Sequence, residues 1–223
     1  DLARDETLVV ALIGRPSIAE GAAYAASATT GEVLRLWAEL GRNTLERLRG
    51  SFALAVLDVR EQSIFLAIDR IGSRSLAFSA RADGIVFANR ADSVAAHPDV
   101  GTSLDSQGLF NYFYFHHLPA PGTIFRGVEK LLPGQWLRWQ RGRVERGFYW
   151  QLHYRDAPRY DFRIQSRRFR DLLDECVQRA RGNNEVAAFL SGGTDSSTLC
   201  GILTQLQGRP ARAYTIGFAA QDY

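Results

Sequence analysis

The residues with the clearest chemical potential are eight consecutive positions, Leu190 to Ser197, with the sequence LSGGTDSS. Paired glycines let a backbone approach an anion closely, and hydroxyl groups add hydrogen-bond donors. The first N–H groups and the positive dipole end of a following helix would add more donors. This composition predicts a loop that binds phosphate groups.

The acidic residue of this loop, Asp195, indicates which phosphate chemistry to expect. The Walker A pattern requires a lysine for the β- and γ-phosphates, and residues 190–197 contain none. A carboxylate repels a polyphosphate unless a divalent cation lies between them, and Mg²⁺ is commonly held by one or two carboxylates with phosphate oxygens. We therefore expect Asp195 to hold magnesium pyrophosphate as it leaves ATP after attack at the α-phosphate. The alternative is an ordinary helix start with Asp195 or Ser196 as N-cap.

The elements around the loop are those of a parallel α/β sheet. Apolar residues recur at helical spacing from Phe169 to Ala180, and Gly182 closes that helix. A strand over Val186 to Leu190 precedes the loop, a second helix begins near Asp195 or Ser196, and a strand spans Arg212 to Phe218. This order opens a doubly wound sheet, in which ligands bind beyond the carboxyl ends of the strands.

The first two thirds of the chain have a different pattern, with short apolar runs separated by turn residues. A helix is predicted over 32–40 and turns at 128–134 and 142–147. The predicted strands span 7–13, 51–57, 63–68, 84–88 and 135–139. The polar segment 153–160 is the predicted linker, which divides the chain into domains at 1–152 and 161–223.

Composition excludes several classes of protein. The chain has 223 residues, is 46% hydrophobic and carries a net charge of only +3, so it can bury a core and gives little reason to expect a nucleic-acid partner. No apolar run approaches the ~18 residues that a membrane span needs. Cys176 and Cys200 fall at apolar helical positions, which predicts buried, reduced thiols and a cytoplasmic location.

The histidines, the tryptophans and the start of the chain give weaker signals. His116 and His117 follow the aromatic run Phe110 to Phe115; we expect an extended segment there, whose histidines pack and bind no metal. The four tryptophans are expected in the core or at a domain interface. Because the chain starts at Asp1 and has no methionine, we expect it to be part of a longer protein.

The loop and its frame resemble the N-type ATP pyrophosphatases, and more specifically the asparagine synthetase family. The matching pieces are Leu190 to Ser197 and Tyr214 to Phe218. The resemblance implies ATP and Mg²⁺ as ligands, with the metal at Asp195. It assigns ATP binding to Leu190, Ser191, Gly192, Gly193, Thr194, Asp195, Ser196, Ser197, Ile216 and Gly217.

The N-terminal part is similar to a class II glutamine amidotransferase domain. The similarity rests on LERLRGSFALAVLD (Leu45 to Asp58), FLAIDRIGSRSLAF (Phe65 to Phe78) and the segment Leu118 to Leu137. The two resemblances together imply an incomplete Ntn-hydrolase-like αββα sandwich, followed by the start of a Rossmann-like, doubly wound α/β ATP-pyrophosphatase domain.

The departures from the family concern glutamine. The family's nucleophile is an N-terminal cysteine, a part that Asp1 cannot play, and truncation of the chain would also account for the missing cysteine. Truncation would not account for the family's glutamine-binding Asn-Gly-Glu, which is replaced by Ile13-Gly14-Arg15. A family aspartate for the substrate's α-amino group falls at Thr30. We therefore expect little or no glutaminase activity. The residues that keep the family pattern are expected to support the fold and not to bind substrate: Glu32, Asp69, Arg70 and Gly72.

The resemblance implies an ATP-dependent carbon–nitrogen ligase that is similar to glutamine-hydrolysing asparagine synthase and forms AMP and pyrophosphate. It would adenylate a small carboxylate such as aspartate and transfer ammonia or another amine, with the acyl-acceptor site beyond Tyr223 and with a homodimer left open. β-Lactam synthetases and lasso-peptide cyclases, which close amides within one substrate, resemble this variant. A non-catalytic nucleotide-binding or assembly module is the remaining alternative.

Overall fold

The computed structural model describes residues 1–20, 23–156, 161–182 and 184–217, with the side chains of 20 and 23–26 left aside. The contacts divide the chain into two units, Asp1–His153 and Tyr154–Tyr223. Within the described residues, no helix is both long and apolar enough to cross a membrane.

The first unit is built mainly from strands. Its strands are β1 (Leu2–Arg4), β2 (Leu8–Glu20), β3 (Ala23–Ser27), β4 (Leu48–Asp58), β5 (Ser63–Ile68), β6 (Ala77–Ala80), β7 (Ile85–Ala88), β8 (Glu129–Lys130), β9 (Gln135–Gln140) and β10 (Arg143–Phe148). Its α-helices are α1 (Thr30–Leu40), α2 (Thr44–Arg47), α3 (Ala91–Ala95) and α4 (Ser106–Phe115).

The strands form two antiparallel sheets. The larger sheet has the order β1-β2-β4-β5-β9-β10, with β3 also paired to β2, and the smaller has the order β7-β6-β8. The alternation along β4 explains how the larger sheet is covered on both faces, because successive side chains point to opposite sides. Leu54 and Val56 face a core that includes Val33 of α1, whereas Ala53 and Ala55 face a core that includes Phe78 of the smaller sheet.

The smaller sheet buries its other face against α3. Ala77 of β6 packs there with Val94 and Ala95 of α3. The layers of the first unit are therefore helix, sheet, sheet and helix. The predicted αββα sandwich is confirmed.

The segment after β5 is held by the buried carboxylate of Asp69, which is only 1% exposed. One carboxylate oxygen accepts the N–H groups of Phe52 (3.2 Å) and Arg74 (3.0 Å), and the other accepts those of Ile71 (3.2 Å) and Ser73 (3.0 Å). Because both oxygens are fully used inside the protein, Asp69 supports the fold, as expected.

The second unit follows the predicted order. It contains α5 (Phe162–Arg181), β11 (Ala187–Phe189), α6 (Thr194–Gln207) and β12 (Arg212–Tyr214), and the two strands are parallel. Asp161 caps α5 by accepting the N–H groups of Arg163 and Ile164. The buried core of this unit consists of Val177, Ile202 and Leu203. The end of the predicted strand at Phe218, and the linker residues 157–160, lie outside the described residues.

The expectation of a turn over 142–147 is wrong, because residues 143–147 belong to β10. The turn is the pair Arg141 and Gly142, both at positive φ (48° and 78°). Gly147 lies in the strand opposite Trp136, where a Cβ atom would stand 2.7 Å from the indole ring. This glycine therefore makes room for a cross-strand tryptophan and marks no turn.

The expectation of an extended, packed segment at 110–117 is also wrong. The aromatic run belongs to α4, where Asp105 accepts the N–H of Gly108 (2.7 Å) as N-cap and His116 ends the helix in the left-handed region (φ 56°). His116, His117 and the aromatic side chains of the run are exposed. The Asp105 N-cap and the left-handed His116 thus mark the ends of a helix that was not predicted from the aromatic run.

The cysteines differ from their prediction as well. Cys176 is exposed and Cys200 is half-buried, and both are free thiols. On α5 only Val177 is buried, because the described part of this unit covers one narrow stripe of the helix. Three of the four tryptophans behave as expected: Trp37 and Trp136 pack on one core and Trp139 on the other.

Candidate functional site

The predicted loop, Leu190 to Ser197, follows β11 at the carboxyl edge of the parallel pair and includes the first four residues of α6. The Leu190 N–H donates to the Tyr214 carbonyl oxygen (2.8 Å), which extends the pairing of the strands to the base of the loop. Gly192 has φ +82°, a backbone conformation that favours glycine. Most of the loop is exposed, and only Leu190 and Ser196 are half-buried.

The helix after this loop begins one or two residues earlier than expected, at Thr194. Its N-cap is Gly193, and no side chain among the described residues caps it. Neither Asp195 nor Ser196 is therefore the N-cap, so the N-cap position expected under the alternative of an ordinary helix start is wrong. The first intrahelical bond runs from the Ser197 N–H to the Gly193 carbonyl (3.1 Å), and the preceding N–H groups of the first turn have no acceptor among the described residues.

The second predicted segment, Ile216 and Gly217, follows β12 at the same edge of the parallel pair. Since Phe189 pairs with Tyr214, both strands present their carboxyl ends together. The Thr215 hydroxyl donates to the Leu190 carbonyl oxygen and so links the two segments. Ile216 is 79% exposed, so its side chain is open to contact with a ligand.

The link through Thr215 was missed by sequence reasoning, because the partners are 25 residues apart. The only available signal was a hydroxyl residue directly after a strand.

The carboxylate of Asp195 lies in the first turn of α6 and is exposed. It forms no ion pair with any residue that the structure describes, and no group of three or more His, Cys, Asp or Glu side chains is found in the same residues. Asp195 alone cannot enclose a cation. It is suited to contribute one ligand to a cation that other groups hold as well.

A separate cavity in the first unit gathers the residues that depart from the family's glutamine site. This space of about 550 Å³ is lined by Gly14, Arg15 and Thr30, together with Asp1 and residues 27–29. Arg15 is exposed and Thr30 is buried as the first residue of α1. The structure therefore brings Arg15 and Thr30 to one cavity, as their separate sequence matches required.

The acidic residue beside this cavity, Glu32, is committed to the helix start. Thr29 and Glu32 form a capping box: the Glu32 carboxylate accepts the N–H (2.7 Å) and hydroxyl (2.8 Å) of Thr29. The Thr29 N–H is the main cause that lowers the pKa of Glu32 below its ordinary value. The expectation that Glu32 supports the fold is confirmed.

Comparison with known proteins agrees with both units. Residues 15–150 match the family profile described as glutamine amidotransferase domain, and residues 168–223 match the profile described as asparagine synthase. The fold and the matches thus define a glutamine amidotransferase-type domain followed by an asparagine synthase-type segment. The chain belongs to the asparagine synthetase family, as the sequence motifs predicted.

The sequence identity to individual relatives is low. The chain is 26% identical to glutamine-hydrolysing asparagine synthetase 3 of Bacillus subtilis, over 92% of this chain and 34% of that protein. It is 31% identical to amidase chyE of Penicillium rubens, over 78% of this chain and 26% of the relative. The chain therefore spans about a quarter to a third of the length of these relatives.

A solved glutamine phosphoribosylpyrophosphate amidotransferase from B. subtilis aligns with 99% of this chain and 49% of its own, at 14% identity and a TM-score of 0.39.

Proposed function

We propose that this chain is part of an ATP-dependent amide-forming ligase that adenylates a carboxylate, releases pyrophosphate and transfers ammonia or another amine to the acyl-adenylate. In this proposal residues 1–152 form an amidotransferase-like domain without glutaminase activity, 153–160 a linker and 161–223 the beginning of the ATP-binding domain. Because the reaction consumes ATP, we also propose a cytoplasmic location.

The observation that carries the proposal is the open loop at the carboxyl edge of β11 and β12. Its first-turn N–H groups have no acceptor and no side-chain cap among the described residues, and residues 190–197 contain no lysine. Such donors bind phosphate oxygens and are reinforced by the helix dipole. The loop would bind the pyrophosphate portion of ATP, and Ile216 and Gly217 would contact the adenine side.

The residues present also fit Mg²⁺. Asp195 is exposed, has no cationic partner among the described residues and stands beside the proposed phosphate site. A magnesium ion there would neutralise charge on the departing pyrophosphate. Mg²⁺ usually keeps several waters and takes only one or two carboxylates with substrate phosphates, so a single aspartate is sufficient.

The source of the amine follows from the cavity beside α1. Arg15 and Thr30 line this cavity in place of the family's glutamate and aspartate, and Ile13 stands in the sequence where the family has asparagine. An alkyl group, a cation and a hydroxyl cannot reproduce the ligands of a zwitterionic glutamine. We therefore propose free ammonia, or an amine on the substrate itself, as the nucleophile.

The acid is proposed to be aspartate or a related small carboxylate, because relatives carry the name asparagine synthetase. The altered glutamine cavity also favours the second candidate, an intramolecular ligase similar to β-lactam synthetases or lasso-peptide cyclases. A non-catalytic nucleotide-binding module is less well supported, because simple nucleotide binding does not require Asp195.

The test of the reaction is product analysis with the full-length protein, ATP, Mg²⁺ and candidate acids. We expect pyrophosphate and AMP in equal amounts, dependent on the acid. Formation of ADP and inorganic phosphate would contradict attack at the α-phosphate.

The test of the amine is a comparison of glutamine and ammonium salts in the same assay. We expect amide formation with ammonium, or with the substrate's own amine, and no glutamate release from glutamine. Hydrolysis of glutamine at a rate that keeps pace with amide formation would contradict the proposed loss of glutaminase activity.

A further inference from the structure

The hydroxyl group of Ser196 occupies a special place in the loop, because it bonds back across the glycine pair. It donates to the Gly193 carbonyl oxygen (3.1 Å) and accepts the N–H of Ser191 (3.2 Å). The Ser191 hydroxyl lies 3.1 Å from the same oxygen atom. One half-buried side chain thus joins the first and last parts of the glycine turn.

The hydrogen-bonding capacity of Ser196 is fully used by these contacts. A serine hydroxyl has one proton and two lone pairs. The proton is directed at the Gly193 carbonyl, so the Ser191 hydroxyl must donate to Ser196, and the two lone pairs receive Ser191 N–H and O–H. Neither of these serines therefore has a hydroxyl proton left for a phosphate oxygen. The hydroxyls of Thr194 and Ser197 make no hydrogen bond within the described part of the chain and remain available.

The contacts of Ser196 set the direction of backbone donors. The Gly193 carbonyl is bound twice, by the Ser196 hydroxyl and by the Ser197 N–H. Since the C=O and N–H of a trans peptide point in opposite directions, this carbonyl fixes the Thr194 N–H outward. The peptide before Ser191 is held at both ends as well, by Ser196 at its N–H and by Thr215 at its carbonyl.

We propose that Ser196 is a positioning residue, which prepares the loop's backbone N–H groups for pyrophosphate without itself contacting phosphate. The inference rests on the proposed function of this loop. It changes the expected role of Ser196 from an ATP ligand to an internal brace, and it leaves phosphate contact to the backbone, Thr194 and Ser197.

The test measures kcat and KM for ATP in the pyrophosphate-release assay with full-length Ser196→Ala, Ser196→Thr, Ser191→Ala and the Ser191→Ala/Ser196→Ala double variant. We expect Ser196→Ala to raise KM for ATP about tenfold, because the hydrogen bonds that order the Ser191 and Gly193 peptides are lost. Ser196→Thr, which keeps the hydroxyl, should restore most of the affinity. Thr198→Ala is the matched control, since it removes a hydroxyl that bonds only within α6, and it should stay within about twofold of wild type.

The double variant distinguishes a brace from a phosphate ligand. If Ser191 acts through Ser196, the double variant should match Ser196→Ala, because the interaction is already lost. The inference would be overturned if the effects of the two substitutions on KM multiplied in the double variant, or if Ser196→Ala had the wild-type KM. Either result would leave the proposed function intact. A wild-type protein that forms no pyrophosphate would instead contradict the proposed function, and the inference would fall with it.

Discussion

The turn after β5 and the loop after β11 contain the same kinds of residue, but their carboxylates and backbone N–H groups are arranged differently. Each follows a strand and contains a carboxylate and a glycine at positive φ, Gly72 at 68° and Gly192 at 82°. In the first, Asp69 is buried and accepts four backbone N–H groups. In the second, Asp195 is exposed and the first-turn N–H groups are left open.

A structural loop and a binding loop of similar composition can be told apart by their backbone hydrogen bonds. What decides is whether the backbone donors are satisfied inside the protein. In the turn after β5, Asp69 accepts the N–H groups of Ile71, Ser73 and Arg74 inside the protein. In the β11 loop a hydroxyl, Ser196, orders the backbone and leaves the donors free.

The largest expected effect comes from the exposed carboxylate. Asp195→Asn in the full-length protein should reduce pyrophosphate release about 100-fold, because magnesium loses its protein ligand, with little change in the thermal midpoint. Asp174→Asn, an exposed position on α5, is the control for lost charge and should leave the rate unchanged. A rate of pyrophosphate release for Asp195→Asn within threefold of wild type would contradict the proposal that Asp195 holds magnesium.

The buried carboxylate should show the opposite behaviour, with a large effect on stability. Asp69→Asn replaces one acceptor oxygen with an amide that faces two N–H donors, so we expect a loss of about 3 kcal/mol in the free energy of unfolding. Chemical denaturation followed by fluorescence measures it. Asp83→Asn, at an exposed carboxylate beside Arg81, should have no measurable effect. Equal stabilities for these two variants would contradict the role given to Asp69.

A third prediction concerns Gly14, in the cavity of the first unit, and its contribution to the stability of the fold. Gly14 has φ +113°, and a Cβ there would overlap the Ser51 backbone. Gly14→Ala should therefore cost about 2 kcal/mol or more in unfolding free energy. Gly31→Ala in α1, where nothing lies within 4 Å of an added Cβ, should be neutral or stabilising by up to ~1 kcal/mol. A tolerated Gly14→Ala would leave that glycine without a structural reason.

The smallest expected effect concerns pH. Burial, with a smaller contribution from the Asp69 carboxylate, raises the pKa of Tyr149 above its ordinary value, and its hydroxyl donates to the Ile68 carbonyl (2.8 Å). The folded state holds this proton more tightly than the unfolded state, so the contribution to stability is present below about pH 10 and is lost as pH rises further.

Tyr149→Phe measures this contribution. It should lower stability by about 1 kcal/mol at pH 8 and flatten the decline between pH 9 and 11. Thermal midpoints of both proteins across that range provide the measurement. Parallel curves would show that Tyr149 does not couple to pH.

Much of the fold could be predicted because its signals are local. The alternation along β4 and the helix–strand–helix–strand order at 162–214 lie in consecutive residues, as does the glycine loop itself. The errors in the predictions involve contacts between residues that are separated in sequence, or the backbone geometry at the end of a helix. Gly147 belongs to a strand because of Trp136, and Thr215 joins the loop because of Leu190. The N-cap of α6 is Gly193, which carries no side-chain signal.

The placement of the tryptophans has a spectroscopic consequence. All four indoles, at positions 37, 136, 139 and 150, belong to the unit Asp1–His153. Three stack or pack in its cores, with Phe65 between Trp37 (4.8 Å) and Trp136 (5.4 Å). Within residues 1–223, excitation at indole wavelengths therefore reports on the amidotransferase-like unit alone. The second unit is spectrally silent there, so a single tryptophan placed on α6 would give it an independent emission signal.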